Sequence, residues 1–165
     1  MFNLSFAQSS ASDIELYVEK NRNYESTFKG NANFKLVLKN TSAKTTTYHL
    51  STTKYLKPCS NEINKTSVLN KKSDKKNSKN NIDLNSFLLN SNKTVLSKHS
   101  KEKGGKNKVV LNGGQSYKFN VSVIAPEGTP YNRWGCIEVK ATEDTSELNT
   151  ASTILSVFVP DPTEF

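Results

Sequence analysis

Between Tyr117 and Ala125 the chain alternates with a period of two: Tyr117, Phe119, Val121, Val123 and Ala125 fall on one side, Lys118, Asn120 and Ser122 on the other. Such a stretch buries a single face only as an extended strand, since successive side chains of a strand point to opposite sides. Pro126, which has no backbone donor, ends the ladder, and Glu127-Gly128-Thr129-Pro130 supplies a turn. Upstream, Asn112-Gly113-Gly114 separates Val109-Val110-Leu111 from the long strand with residues that tolerate a tight reversal. Downstream, Gly135 to Ala141 repeats the period, with Ile137, Val139 and Ala141 inward and Trp134, Cys136, Glu138 and Lys140 on the opposite face.

The period recurs along the chain. Ile14, Leu16 and Val18 alternate near the start, followed by Phe34, Leu36 and Leu38, and then by Tyr48, Leu50 and Thr52. Near the end Thr153, Leu155, Val157 and Val159 line one face, while Ile154 and Phe158 make the other partly apolar. Seven candidate strands result, with no long amphipathic helix, and short strands separated by turn signals indicate a sandwich or barrel.

One segment breaks the pattern. Residues 54 to 108 hold 14 Lys against four acidic residues, while the rest of the chain holds nine basic and 11 acidic residues, so the net charge of +8 comes from this segment. Removing its 55 residues leaves 110, close to the ~100 residues of one immunoglobulin-type sandwich. The expected organisation is therefore an N-terminal segment at 1–12, a single sandwich over 13–159 interrupted by a basic insert at 54–107, and a tail at 160–165. Asn70 to Asn81 has no apolar residue, whereas Ile82, Leu84, Phe87, Leu88, Leu89, Val95 and Leu96 can form a short helix or an extra strand that folds back. Lys71, Lys72, Lys75, Lys76 and Lys79 make a candidate electrostatic loop for an anionic glycan, a lipid surface or an acidic protein. Charge runs of this kind more often mark a solvated segment. Nucleic acid fits less well, because the insert has no Arg and only Tyr55 and Phe87 to stack on bases.

The run FKLVLKNTS, then VVLNGGQSYKFNVSVIAPEG, then WGCIEVKAT and a final apolar strand resembles the immunoglobulin-like or fibronectin-III-like accessory domains of extracytoplasmic proteins. The resemblance covers residues 33–53 and 108–159. It implies an all-β, immunoglobulin-like antiparallel β-sandwich of about seven strands carrying a long Lys/Asn/Ser-rich insert, and a non-catalytic structural or binding module.

Cys59 lies just inside the insert and Cys136 on the predicted outer face of its strand. An inter-sheet disulfide of the antibody kind needs an inward Cys136, which the alternation opposes. A Cys59–Cys136 bridge would staple the root of the insert across the outer face, over Trp134; the alternative is two small buried thiols. MFNLSFAQ is too short for a signal peptide, yet Ser5-Phe6-Ala7 before Gln8 has the small-x-small pattern found at the end of one. Paired cysteines, an all-β fold and the lack of a cytosolic cofactor motif together suggest an exported protein, periplasmic or at the cell surface. No transmembrane run is present. Five Asn-x-Ser/Thr sequons, at Asn3, Asn40, Asn64, Asn92 and Asn120, read as a product of composition.

No catalytic motif appears, and neither His49 nor His99 has a Cys, Asp or Glu at metal-ligand spacing. Glu143-Asp144 with Glu147 lacks a defined calcium-ligand pattern and reads as a hairpin tip. No cofactor is expected. Two binding readings remain. The first is an accessory subunit docking onto a larger cell-envelope assembly, through Ile154 and Phe158 and by strand addition at a sheet edge. The second is a carbohydrate-binding module using Tyr131 and Trp134, with Asn132 and Arg133 as polar neighbours.

Overall fold

The computed structural model describes residues 13–55, 57, 59, 82–92 and 107–163, with the backbone path of 95–98. Among the described residues ten strands lie in two sheets: β1 (Ile14–Val18), β2 (Tyr24–Ser26), β3 (Asn31–Asn40), β4 (Thr46–Lys54), β5 (Asn85–Leu89), β6 (Val95–Lys98), β7 (Lys108–Leu111), β8 (Ser116–Ile124), β9 (Arg133–Glu143) and β10 (Ser146–Val159). One sheet has the order β1-β3-β8-β5-β6 and the other β2-β10-β9-β4-β7. Apart from the parallel β2–β10 contact, the described pairings are antiparallel.

The sandwich is the expected one, and its core is the expected inner face. Phe34, Leu36, Leu38, Tyr48, Leu50, Phe119, Val121, Val123, Ile137, Val139, Leu155 and Val157 are all buried in one cluster. Three strands exceed the seven read from alternation. β2 is only three residues long, too short to show a period. β5 and β6 lie within the basic segment, where an extra strand was one of two options; Leu84 and Leu88 join the core, and β5 pairs with β8. Ser86 accordingly faces inward, and its hydroxyl donates to that of Thr52 in the opposite sheet at 2.9 Å.

The return of this segment explains Gly135. A Cβ there would run into the Leu84 side chain and come within 2.8 Å of Ile82. At the other end of the sandwich Asn40 is fully buried, and its amide nitrogen donates to the carbonyls of Lys44, Leu111 and Asn112 at 2.7, 3.1 and 3.3 Å. Its side-chain oxygen accepts from the Ser42 N–H and hydroxyl. This sequon asparagine is a clamp between two turns, and Gly113 permits the close approach, since a Cβ would sit 2.6 Å from the Ala43 carbonyl carbon.

Between β1 and β2 the chain changes sheets. Lys20 and Asn21 take left-handed backbone angles, φ 59° and 53°, in the short 3-10 turn Glu19–Asn21. That reversal delivers Arg22, Tyr24 and Glu25 to the rim of the second sheet.

Candidate interaction face

The outer surface of β9 and β10 is a ladder of cross-strand pairs: Trp134 with Phe158, Cys136 with Ser156, Glu138 with Ile154, and Lys140 with Ser152. Directly opposed side chains on one face of an antiparallel pair lie close enough to interact. The Trp134 and Phe158 rings do so, with centroids 5.2 Å apart at 46°. Cys136 points outward as the alternation required and is bonded to Cys59, with Cα atoms 5.5 Å apart. Tyr55 donates its N–H to the Cys136 carbonyl at 3.1 Å, so the chain leaving β4 is held against β9 before it reaches the bridge. Both cysteines are buried, and the Cys136 sulfur lies 3.5 Å from the Ser156 hydroxyl. Trp134 meets Phe158, a contact that the expected position of the staple over Trp134 did not foresee.

Beyond Phe158 the surface opens into a hollow of about 320 Å3 lined by Arg22, Tyr24, Glu25, Ser26, Trp134 and Phe158. Tyr24 is 57% exposed. A neighbouring hollow of about 630 Å3 shares Glu25 and Ser26 and adds Phe28, Asn31 and Asn33. Tyr131 is exposed but does not line the hollow holding Trp134, so the sugar-binding pair read from the sequence is divided. Arg133 is half-buried opposite Val159 at the start of β9, and the Asn132 N–H donates to the Val159 carbonyl at 2.7 Å. Sequence reasoning passed over Arg22, Tyr24 and Glu25; the only cue was an isolated Tyr between polar residues.

The edge of β10 is covered unevenly. β2 pairs only with Ser156, Val157 and Phe158. The Ser156 N–H donates to the Asn23 carbonyl at 2.8 Å, which fixes the parity of the strand: even-numbered residues direct their backbone groups away from β9. Ser152 and Ile154 thus turn N–H and C=O away from β9, toward a side where no strand is hydrogen-bonded to them among the described residues. From Asn149 to Val159 the strand carries no charge and no proline, the devices that ordinarily guard an open edge.

The remaining polar groups are engaged with one another. Asp144 accepts from His49 and, through its other oxygen, from Lys108 at 3.3 Å; these partners hold its carboxyl below its ordinary value. Glu143 takes bonds from Thr145 and Asn149 at 2.9 and 2.7 Å. Among the described residues no three His, Cys, Asp or Glu side chains converge on a metal position. The Tyr48 hydroxyl is buried near Thr46 without reaching hydrogen-bonding geometry, and burial pushes its phenol up. Lys71, Lys72, Lys75, Lys76, Lys79 and His99 lie outside the described residues. Among the described residues no helix is long and apolar enough to cross a membrane.

The geometry defines an immunoglobulin-like β-sandwich with an outer-face disulfide and, among the described residues, a β10 edge paired by β2 over three residues only. No family model matches the chain, and no curated protein does. Similar solved structures include a FixG-related protein from Vibrio parahaemolyticus, at 10% identity over 88% of this chain and 94% of that one, TM-score 0.44. The PapD-like domain 7 of human CEP192 is 9% identical over 98% of this chain and 93% of its own length, TM-score 0.40. The E. coli chaperone DraB is 13% identical over 90% of this chain and 56% of its own, TM-score 0.41.

Proposed function

We propose that this chain is a non-catalytic protein-interaction module of an exported, periplasmic or cell-surface protein, docking as a small accessory subunit onto a larger envelope assembly. The observation that carries the reading is the half-covered edge of β10. A partner segment in extended conformation gains backbone hydrogen bonds there without displacing any described strand, and alternate side chains supply selectivity. Among the described residues no strand pairs with β10 beside Thr150 to Leu155, up to where Asn23 and Tyr24 begin, a length that suits a segment of about five or six residues at ~3.3 Å each. Residues 13–159 act as one domain in this reading, with β5 built into the sandwich.

The disulfide supports export, since such bonds persist in oxidising compartments. The test is recovery of a partner from native envelope extract by wild type, Ser152→Pro and Lys140→Ala proteins, each first shown to be folded by circular dichroism. Ser152→Pro removes one edge donor and is expected to lose a partner that Lys140→Ala retains. Equal recovery by all three would overturn strand addition at this edge.

A further inference from the structure

Asn112 is the single asparagine of the chain that a glycine follows. The exposed turn it opens is closed by the Gln115 N–H on the Asn112 carbonyl at 3.0 Å, with Gly114 at φ 76°. Neither glycine is free to change. A Cβ on Gly113 would sit 2.6 Å from the Ala43 carbonyl carbon, and the positive φ of Gly114 disfavours any larger residue. The fold therefore keeps an Asn-Gly pair at its surface, where no side chain shields the second backbone nitrogen from the first residue's amide. Among the described residues the Gly113 N–H has no acceptor, whereas the N–H groups of Asn112, Gly114 and Gln115 go to the Gln115 side-chain oxygen, the Asn40 carbonyl and the Asn112 carbonyl at 2.9, 2.9 and 3.0 Å. The Asn112 Oδ1 accepts from the Thr45 hydroxyl at 3.0 Å, and its Nδ2 meets no acceptor among the described residues.

We infer that Asn112-Gly113 is a self-modification site, at which the chain converts its own amide to aspartate and isoaspartate with water as the only co-reactant. The Gly113 nitrogen loses its proton to hydroxide and attacks Cγ of Asn112. The N–Cγ bond forms, the Thr45 hydroxyl stabilises the charge developing on Oδ1, and Nδ2 takes a proton from water and leaves as ammonia. Adjacent residues make the step intramolecular, which is why asparagine is a thermolabile residue. Water then opens the cyclic imide. Cleavage at Cγ gives aspartate; cleavage at the former Asn112 carbonyl carbon gives isoaspartate, whose main chain runs through Cβ and Cγ and is longer.

Position gives the reaction a consequence. The Asn112 carbonyl accepts from the buried Asn40 amide at 3.3 Å, beside the Leu111 carbonyl at 3.1 Å. In isoaspartate that carbonyl becomes a side-chain carboxylate on a lengthened turn, so the Asn40 clamp loses a fixed acceptor and the Gln115 N–H its turn partner. A buried amide left short of partners is costly. Conversion to aspartate leaves the main chain as it was. Ageing at this turn thus loosens one end of the sandwich in proportion to the isoaspartate formed.

The experiment incubates the full folded chain at mildly alkaline pH and follows each asparagine by peptide mapping with mass spectrometry, separating aspartate from isoaspartate by chromatography. Asn112 is expected to convert about ten-fold faster than the exposed Asn33 and Asn92, a ratio that a small difference in barrier supplies. The rate is expected to rise with pH, because the attacking nitrogen must lose its proton. Asn112→Gln, which keeps an amide but needs a larger ring, is expected to stay unconverted over the same time, and Thr45→Val to convert several-fold more slowly with the protein still folded. The isoaspartate form, isolated by ion exchange, is expected to unfold at lower urea than fresh protein, while Asn112→Asp unfolds close to wild type. Conversion of Asn112 no faster than of Asn33 and Asn92 would overturn the site. A wild-type rate in Thr45→Val would overturn the part given to that hydroxyl, and an isoaspartate form as stable as Asn112→Asp would overturn the loosening of the clamp.

Discussion

β9 and β10 present two faces built from the same residues of backbone, and the two obey different rules. Inward, Ile137, Val139, Leu155 and Val157 are at most 1% exposed and pack against a second sheet. Outward, Trp134, Glu138, Ile154 and Phe158 are half-buried, and the buried members of that face, Cys136 and Ser156, are covered by a chain segment that a disulfide holds in place. The inner face is closed by periodicity alone, because every second residue meets its counterpart across the core. The outer face depends on what crosses it: the chain leaving β4 covers the middle, β2 covers one end, and along the rest of the edge no strand pairs with β10 among the described residues.

That contrast can be broken by substitution. Leu155→Ala on the inner face should lose up to about 5 kcal/mol of unfolding free energy in urea, whereas Ile154→Ala one residue away should lose only about 1 kcal/mol. Equal losses would mean that the outer face is as closed as the core. Replacing Cys59 and Cys136 together by Ser should lower stability by about 4.5 kcal/mol, the chain-entropy value for a loop of 77 residues. An unchanged midpoint would remove the bridge from the energetics of the outer face. A double-mutant cycle on Trp134 and Phe158 should return a coupling of about 1 kcal/mol beyond their burial, and a coupling of zero would leave them as separate surface rings.

The smallest effect concerns pH. Because the folded Asp144 carboxyl lies below its ordinary value of 3.8, its contribution is complete above that value and is lost as pH falls through the lower folded one. Asp144→Asn should therefore flatten the acid limb of the stability curve, and the limb should sharpen less at high salt because the pair is exposed. A limb unchanged by the substitution would detach His49 and Lys108 from the stability of the β9–β10 hairpin.

The core was legible because alternation reports burial directly; Phe119, Val121 and Val123 could sit nowhere else. Parity also placed Cys136 outward, which is where the bridge to Cys59 runs. β5 was half legible, since a short apolar run such as Ser86 to Leu89 fits a helix or a strand and only its pairing with β8 decides. Asn40 looked like composition because a buried amide satisfying five groups leaves no periodic trace. The hollow was hidden for a different reason: Arg22, Tyr24 and Glu25 are more than a hundred residues from Trp134, and a left-handed turn at Lys20 and Asn21 brings them there. The part of the β10 edge without a paired strand among the described residues was hidden too, as β2 pairs over only three residues.

Residue-resolved amide exchange in the isolated full chain addresses that edge most directly. Ser152 and Ile154 should exchange at least a hundred-fold faster than Thr153 and Leu155, whose N–H groups face β9, and should slow when an envelope partner is bound. Four equally protected amides in the isolated protein would show the edge already filled, contradicting strand addition as its mode of binding.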